Sequence, residues 1–456
     1  MHGQRRGRVW RIESSTWGGP ADSSGAVVLE SLIAGFKALC ATFPDRRTGE
    51  NTVYEMIDIG MAAFATFFMQ SPSFLAQQTA LERGRGTSNC QTLFGMVRIP
   101  TDNHIRSMLD PVPPETLLAM FGATLAALEK GGGLAPFQRL GGHVLIALDG
   151  TEYFCSQNLS CPNCCSRARA NGRTEHFHSM VSAAMVAPGH ERALPLEPEF
   201  IAPQDGAQKQ DCETRAMHRW LATHGPKYAR LNPIYLGDDL SSRQPTCEAV
   251  RAIGAHFLFT AKPSSHKTLY EWLGGAEVPS KQQKVKQGAR FITHRYRWME
   301  GVPLRDGKDA LIANWLEIEI VDASGKVTYR NSFVTDLPVG KDNVAELAAC
   351  GRARWKIENE SFNTLKTKGY NLEHNFGHGQ KHLAMVLATM NLIAFAMHTV
   401  ADLVDEAWKA ARATVGARKR FFEDLRAITT YLVFPTWATL VETLRSGQPP
   451  PAVRDG

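Results

Sequence analysis

The sequence predicts a mixed α/β protein, with one mixed sheet carrying packed helices, a helical region before it and a β-rich insertion within it. Three observations lead there. From Gly142 onward, short β-rich runs alternate with helical ones, the pattern of a sheet covered by helices. Residues 28–132 carry apolar positions at helical spacing, broken by the turn-rich stretches PDRRTGEN, QSPSF, RIPTDN and DPVPPE. Between 266 and 340 the chain becomes strand-rich again, and its last hundred residues are helical.

The elements follow in order. Residues 1–24, basic and then Gly/Ser-rich, are expected to be a disordered arm, with 25–133 a helical domain ending at Gly131–Gly133. HVLIALDGTEYF reads as a strand, HSMVSAAMVA as a second, and RALPLEPEFI as a third with proline at its edge. CETRAMHRWLATHG is helical, PIYLGDDL a strand, PTCEAVRAIGA a helix and HFLFTAKP a strand. ARFITHRYRWME, NWLEIEIVDA and KVTYRNSFVTDL are strands of the insertion, residues 266–340. The main domain is then 140–265 together with 341–400, and 401–456 is a helical C-terminal region and tail. RARWKIENESFNTLKTK has no proline or glycine from Ala353 to Lys368, and Ile357, Phe362 and Leu365 form an apolar seam, so a helix is expected there.

Of the 456 residues, 43% are apolar, enough for a sizeable core, and the net charge of +6 suits a phosphate-bearing partner as well as an ordinary soluble enzyme. MHGQRRGRVWRIESS lacks the apolar core of a secretory signal, so the nine cysteines are expected to be reduced thiols or metal ligands in a cytoplasm. MIDIGMAAFATFFMQ is too short to span a bilayer. LAMVLATMNLIAFAMHTVADLV is longer but holds Asn391, His398 and Asp402, so a buried helix is the better reading and no membrane partner is expected.

Chemistry concentrates in three acids. Asp149 ends the run VLIAL, and Asp238 ends IYLG after the next βα unit. Carboxylates at adjacent strand ends point into one crevice, and Glu358, on a later helix, completes the set. Each acid alone has an ordinary explanation, since an Asp after a strand commonly caps the next turn. Three converging carboxylates bind two divalent cations about 3.5–4 Å apart, a clamp for in-line displacement at phosphorus. Hard oxygen ligands suit Mg²⁺ or Mn²⁺. Glu360 and Asp239 are neighbouring alternatives, but they face away from Glu358 and Asp238.

With LDGT, GDDL and RWKIE in place, the chain resembles the DDE-type transposases of bacterial insertion sequences, in the branch with a β insertion before the last catalytic acid. There that acid lies in a Tyr-x2-Arg-x3-Glu-x6-Lys pattern, which Arg354 and Glu358 match. NSFVTDL and FNTLK also fit, over residues 140–400 in all. Gly351 stands where the Tyr would be, and Leu365 where the Lys would be, with Lys366 one place later.

The resemblance implies an RNase H-like core in which Asp149, Asp238 and Glu358 hold the metal ions. It implies cut-and-paste transposition. Water cleaves at the transposon end, and the freed 3′-OH attacks target DNA or first the opposite strand. It further implies double-stranded DNA as partner (terminal repeats and target), a dimer or higher assembly on paired ends, and a nucleoid-associated place in a bacterial cytoplasm. The helical domain 25–133 is the natural candidate for repeat recognition. Two rivals remain: a structure-specific nuclease using the same acids without strand transfer, and a DNA-binding protein that keeps the fold without the chemistry.

Arg354, one turn before Glu358, is placed to hold a DNA phosphate. Lys366, and Arg295, Arg297 and Trp298 in the basic, aromatic stretch KQQKVKQGARFITHRYRW, are further DNA-binding candidates; Trp298 has a core position in the insertion as its alternative. Arg5, Arg6, Arg8 and Arg11 suit a minor-groove arm. Finally, residues 155–178 hold CSQNLSCPNCCSRARANGRTEHFH, where Cys161, Cys164, His176 and His178 have the ligand types of a zinc knuckle, with Cys155 or Cys165 as alternates. A structural zinc and an unligated, reduced hairpin both remain open.

Overall fold

The run Val144–Leu148 lies in strand His143–Ser156 and is buried throughout, as expected of a strand covered on both faces. Pro233–Gly237 pairs with it in parallel, and His256–Thr260 pairs in parallel with Pro233–Gly237. Thr174–Val186 lies on the other side of the first strand, and pairs antiparallel with the short pieces Leu194–Pro195 and Glu199–Ile201. In this computed structural model, residues 10–11, 27–49, 52–203, 211–288 and 290–449 are described. Twelve of their strands form a mixed sheet with flanking helices, as the alternation predicts. The chain divides into two compact units: Ala135–Thr151 with Ser179–Phe362, and residues up to Leu134 with Glu152–His178 and Asn363 onward.

In the first of these units, the insertion is an antiparallel meander of Ser280–Gln287, Arg290–Pro303, Ile312–Val321 and Val327–Thr335. Its last strand pairs antiparallel with His256–Thr260, Leu258 facing Thr335, so the insertion extends the main sheet. Two elements differ from expectation. SKQQKVKQ forms the edge strand, where its three lysines discourage pairing with another chain. Lys267–Gly274 is a helix, held by buried Leu269 and Leu273 one turn apart.

Strand alternation decides what each face meets. Leu145, Ala147, Ile234 and Leu236 share a core with Val344, Leu347 and Ala348 of helix Val344–Arg352 and with Ile357 and Phe362 beyond it. Tyr235 points to the opposite face, where its ring meets Trp220 of helix Glu213–Thr223 edge-on at 5.9 Å. After Arg352 the chain makes a 3₁₀ turn (Ala353–Trp355), a π-helical turn (Ile357–Phe362) and a short α-helix (Asn363–Thr367), rather than the regular helix expected. The seam residues Ile357, Phe362 and Leu365 are all buried. The five-residue gap between the first two explains the π turn, because an i to i+5 repeat returns both to one side. Gly351 stands where the ring of Phe333 leaves no room: an added Cβ would lie 2.7 Å from it.

The second unit is helical around Leu383–Val404, which is long and apolar enough to cross a membrane but has 94% of its apolar window buried inside the protein. Its polar groups have protein partners: Asn391 donates to the Tyr370 carbonyl (2.9 Å), His398 Nδ1 meets the Tyr370 hydroxyl (2.8 Å), and Asp402 accepts from Arg418 (2.9 Å). Within the arm expected to be disordered, Trp10–Arg11 pairs as a short strand with Arg98–Ile99; Arg5, Arg6 and Arg8 lie outside the described residues.

The start of the buried helix is fastened by Asp110, whose carboxylate accepts from the backbone N–H of Gln380, Lys381 and Leu383 at 3.0–3.2 Å. Losing these bonds strands several donors at a helix start. Asp110→Ala is therefore expected to reduce stability by about 2–4 kcal/mol, read from urea denaturation, with Asp110→Asn falling between it and wild type.

Candidate active site

Register brings the first two acids together. Ala147 faces Leu236 across adjacent parallel strands, so two residues further on Asp149 and Asp238 stand side by side on the same face. That face is the one covered by Val344–Phe362, and from it Arg354 reaches Asp149 (Nη1 to Oδ2, 3.1 Å) and Glu358 (Nη2 to Oε1, 2.7 Å). Arg354 and Asp149 are largely buried, while the Glu358 side chain is 51% exposed. Asp238 Oδ1 accepts from the Leu240 and Ser241 N–H groups, which fixes the turn carrying it. Asp239 is used differently: its Oδ1 accepts from Lys262 N at 2.6 Å and Ser265 Oγ at 2.5 Å, tying two loops.

A fourth acid joins them. Glu213, first residue of its helix, accepts from the Gly150 N–H and lies close enough to Asp149 and Asp238 to repel both. Only glycine permits this approach, since a Cβ at position 150 would lie 2.4 Å from Glu213 Oε2. In the sequence Glu213 resembles any acid opening a helix, and nothing marked it.

These charges are felt. Burial pushes the Asp149 carboxyl up to about 7; Arg354 opposes the rise, and Glu358, Glu213 and Asp238 add to it. Burial, with Asp238 second, also raises Glu213. The native chain therefore keeps a proton on Asp149 that the unfolded chain releases near pH 3.9, so stability falls as pH rises from about 4 to about 7. Asp149→Asn removes that penalty, on the order of 2–4 kcal/mol. In EDTA the variant is expected to melt with wild type at about pH 4 and a few degrees above it near pH 8. An equal offset at both pH values would contradict it.

The oxygen-only donor set and its excess negative charge fit hard divalent cations. Asp149, Asp238 and Glu358 are the carboxylates that could hold them, and Arg354 is ion-paired with the first and the last.

Among the other candidates, Arg297 is ion-paired with Glu317 (Nε to Oε1, 3.0 Å), Arg295 lies 4.0 Å from Glu319, and Trp298 packs half-buried against the core. Lys366 pairs with Glu373 at 2.9 Å. The large aromatic exposed beside Arg354 is instead Trp355, 48% accessible, with Lys356 Nζ over its ring.

In the other unit, Cys161, Cys164 and His178 do come together, but His176 is not with them. Their fourth neighbour is His378. His176 sits two residues, about 7 Å, further along the strand that bears His178 and beyond reach of the same point. Cys165 lies next in the chain after Cys164 but outside the group, and Cys155 contacts Glu175. Among the described residues, no second group of three or more such side chains closes this tightly. The chain matches no protein-family model, and no curated protein is similar to it at a significant level.

Proposed function

We propose that the chain is a DDE-type transposase that cuts DNA at the ends of its element and joins the freed 3′ ends to a target. The observation that carries this reading is the pairing of Asp149 and Asp238 on adjacent parallel strands, with Glu358 tied to Asp149 through Arg354. The strand order supports an RNase H-like core: an antiparallel hairpin and edge piece on one side of the first strand, two parallel strands on the other.

When bound, a pair of Mg²⁺ or Mn²⁺ ions supplies the Lewis acidity that activates the attacking oxygen and stabilises the leaving one. The chain's own residues do the rest. Asp149 and Asp238 hold a negative cradle on a rigid sheet, and Glu358 supplies the third carboxylate from an exposed turn. Arg354, already placed between two carboxylates, transfers a planar pair of donors to the scissile phosphate. Glu213 keeps the cradle's charge high. DNA acts as a duplex held by a dimer or larger assembly.

The test is incubation of the full chain with labelled DNA from the flanks of its own gene, in Mg²⁺. Nicks at fixed positions in both flanks, with joined products on added target DNA, are expected. Cutting of branched DNA without end preference would assign a structure-specific nuclease. Tight binding without cutting in Mg²⁺ or Mn²⁺ would leave a DNA-binding protein.

A further inference from the structure

We propose that Cys161, Cys164, His178 and His378 hold one structural zinc ion, which ties the hairpin following the first core strand to the loop that opens the buried helix Leu383–Val404. All four lie within one compact unit, and the site is independent of the proposed DNA chemistry.

The distances carry the inference. A zinc ion with bonds of about 2.3 Å to sulfur and about 2.0–2.1 Å to nitrogen, at tetrahedral angles, sets its ligands apart by about 3.8 Å for sulfur to sulfur and about 3.6 Å for sulfur to nitrogen. Cys161 Sγ and Cys164 Sγ are 3.8 Å apart. His178 Nε2 is 3.5 Å from each sulfur, and His378 Nε2 is 3.5 Å from Cys164 Sγ. All four ligand atoms lie within 4.8 Å of one another. Two thiolates and two imidazoles are a donor set that favours zinc over the hard ions suited to carboxylates. The two sulfurs are too far apart for a disulfide.

The supports on both sides are built. Cys161 and Cys164 close a tight turn, Cys164 N donating to the Cys161 carbonyl (3.0 Å) and Cys161 N to the Cys164 sulfur (3.4 Å). His178 comes from strand Thr174–Val186 and is buried beneath Tyr153 and Phe154. His378, 214 residues beyond Cys164, lies on a loop held by Arg106, which donates to the Phe376 carbonyl (2.8 Å), and by Asp110. Asn163, within the Cys161–Cys164 turn, donates to the Lys381 carbonyl on that same loop. The His378 ring also packs on Phe154 at 4.6 Å. The hairpin carries little apolar surface of its own, and a metal gives such a segment a fixed shape.

The test is metal analysis of the purified full-length chain, with cobalt substitution as a second readout. About one zinc per chain is expected. Replacing zinc with Co²⁺ is expected to give the intense visible bands of a tetrahedral site with thiolate charge transfer. Cys164→Ser and His378→Ala should lose the metal, whereas His176→Ala and Cys165→Ser should keep it. Because loss of a ligand can also unfold the chain, His378→Cys serves as the second variant: it should retain the metal, with cobalt bands shifted toward a three-sulfur site. Absence of zinc together with no cobalt spectrum would overturn the proposal. So would loss of metal from His176→Ala with retention in His378→Ala.

Discussion

Asp149→Asn is expected to abolish Mg²⁺-dependent cleavage of end DNA, by on the order of 10³-fold or more, while DNA binding stays within a few-fold of wild type. The side chain is largely buried, at the level of Asp238 on the neighbouring strand, and its carboxyl is pushed up to about 7 by burial and by three other acids. A neutral amide keeps the shape but removes the charge for which cations are needed. The same substitution is thus expected to stabilise the metal-free chain at high pH and to remove the proposed activity, the trade expected where a site stores repulsion. Asp238→Asn is expected to match it. Asp239→Asn is expected to act on stability, because its carboxylate is spent on Lys262 N and Ser265 Oγ. Gel-shift titration beside a cleavage time course separates the two effects.

Arg354→Ala is expected to slow cleavage by about 10²-fold, with no rescue by excess Mg²⁺. Arg354 spans Asp149 and Glu358, its guanidinium ion-paired with both. Removing a cation beside a cation site does not weaken metal binding at pH values where Asp149 is ionised, so the defect lies in positioning the phosphate. Arg354→Lys is expected to recover only part of the rate, since an ammonium cannot make two parallel bonds to one phosphate. Full rescue of Arg354→Ala by raised Mg²⁺ would assign the residue to metal affinity instead. Glu358→Gln is expected to lose cleavage, with Glu360→Gln close to wild type, because Glu358 is the one joined to Arg354 and felt by Asp149.

Much of the sheet was legible because its strands are continuous apolar runs, and their order follows from the alternation with helices. Arg354 and Glu358 were legible as a pair because four residues make one helical turn. Three features were not. Glu213 meets Asp149 and Asp238 only through the close approach allowed by Gly150, which is a tertiary fact. The π turn at Ile357–Phe362 leaves no mark except an odd gap in the apolar seam. His378 lies 214 residues from Cys164, whereas local spacing favoured His176, which is nearer in sequence and too far along the strand. The lysine-rich edge strand Ser280–Gln287 was hidden for a different reason: its polarity, which protects an edge, is the opposite of what marks a strand in a core.

The most direct test of the carboxylate site is cleavage of end DNA by Asp149→Cys in Mg²⁺ and in Mn²⁺. Sulfur is a poor ligand for the hard Mg²⁺ and a better one for the softer Mn²⁺. Cleavage lost in Mg²⁺ and regained in part with Mn²⁺ is the result expected if Asp149 holds the ion that cuts DNA. Undiminished cleavage by the variant in Mg²⁺ would contradict it.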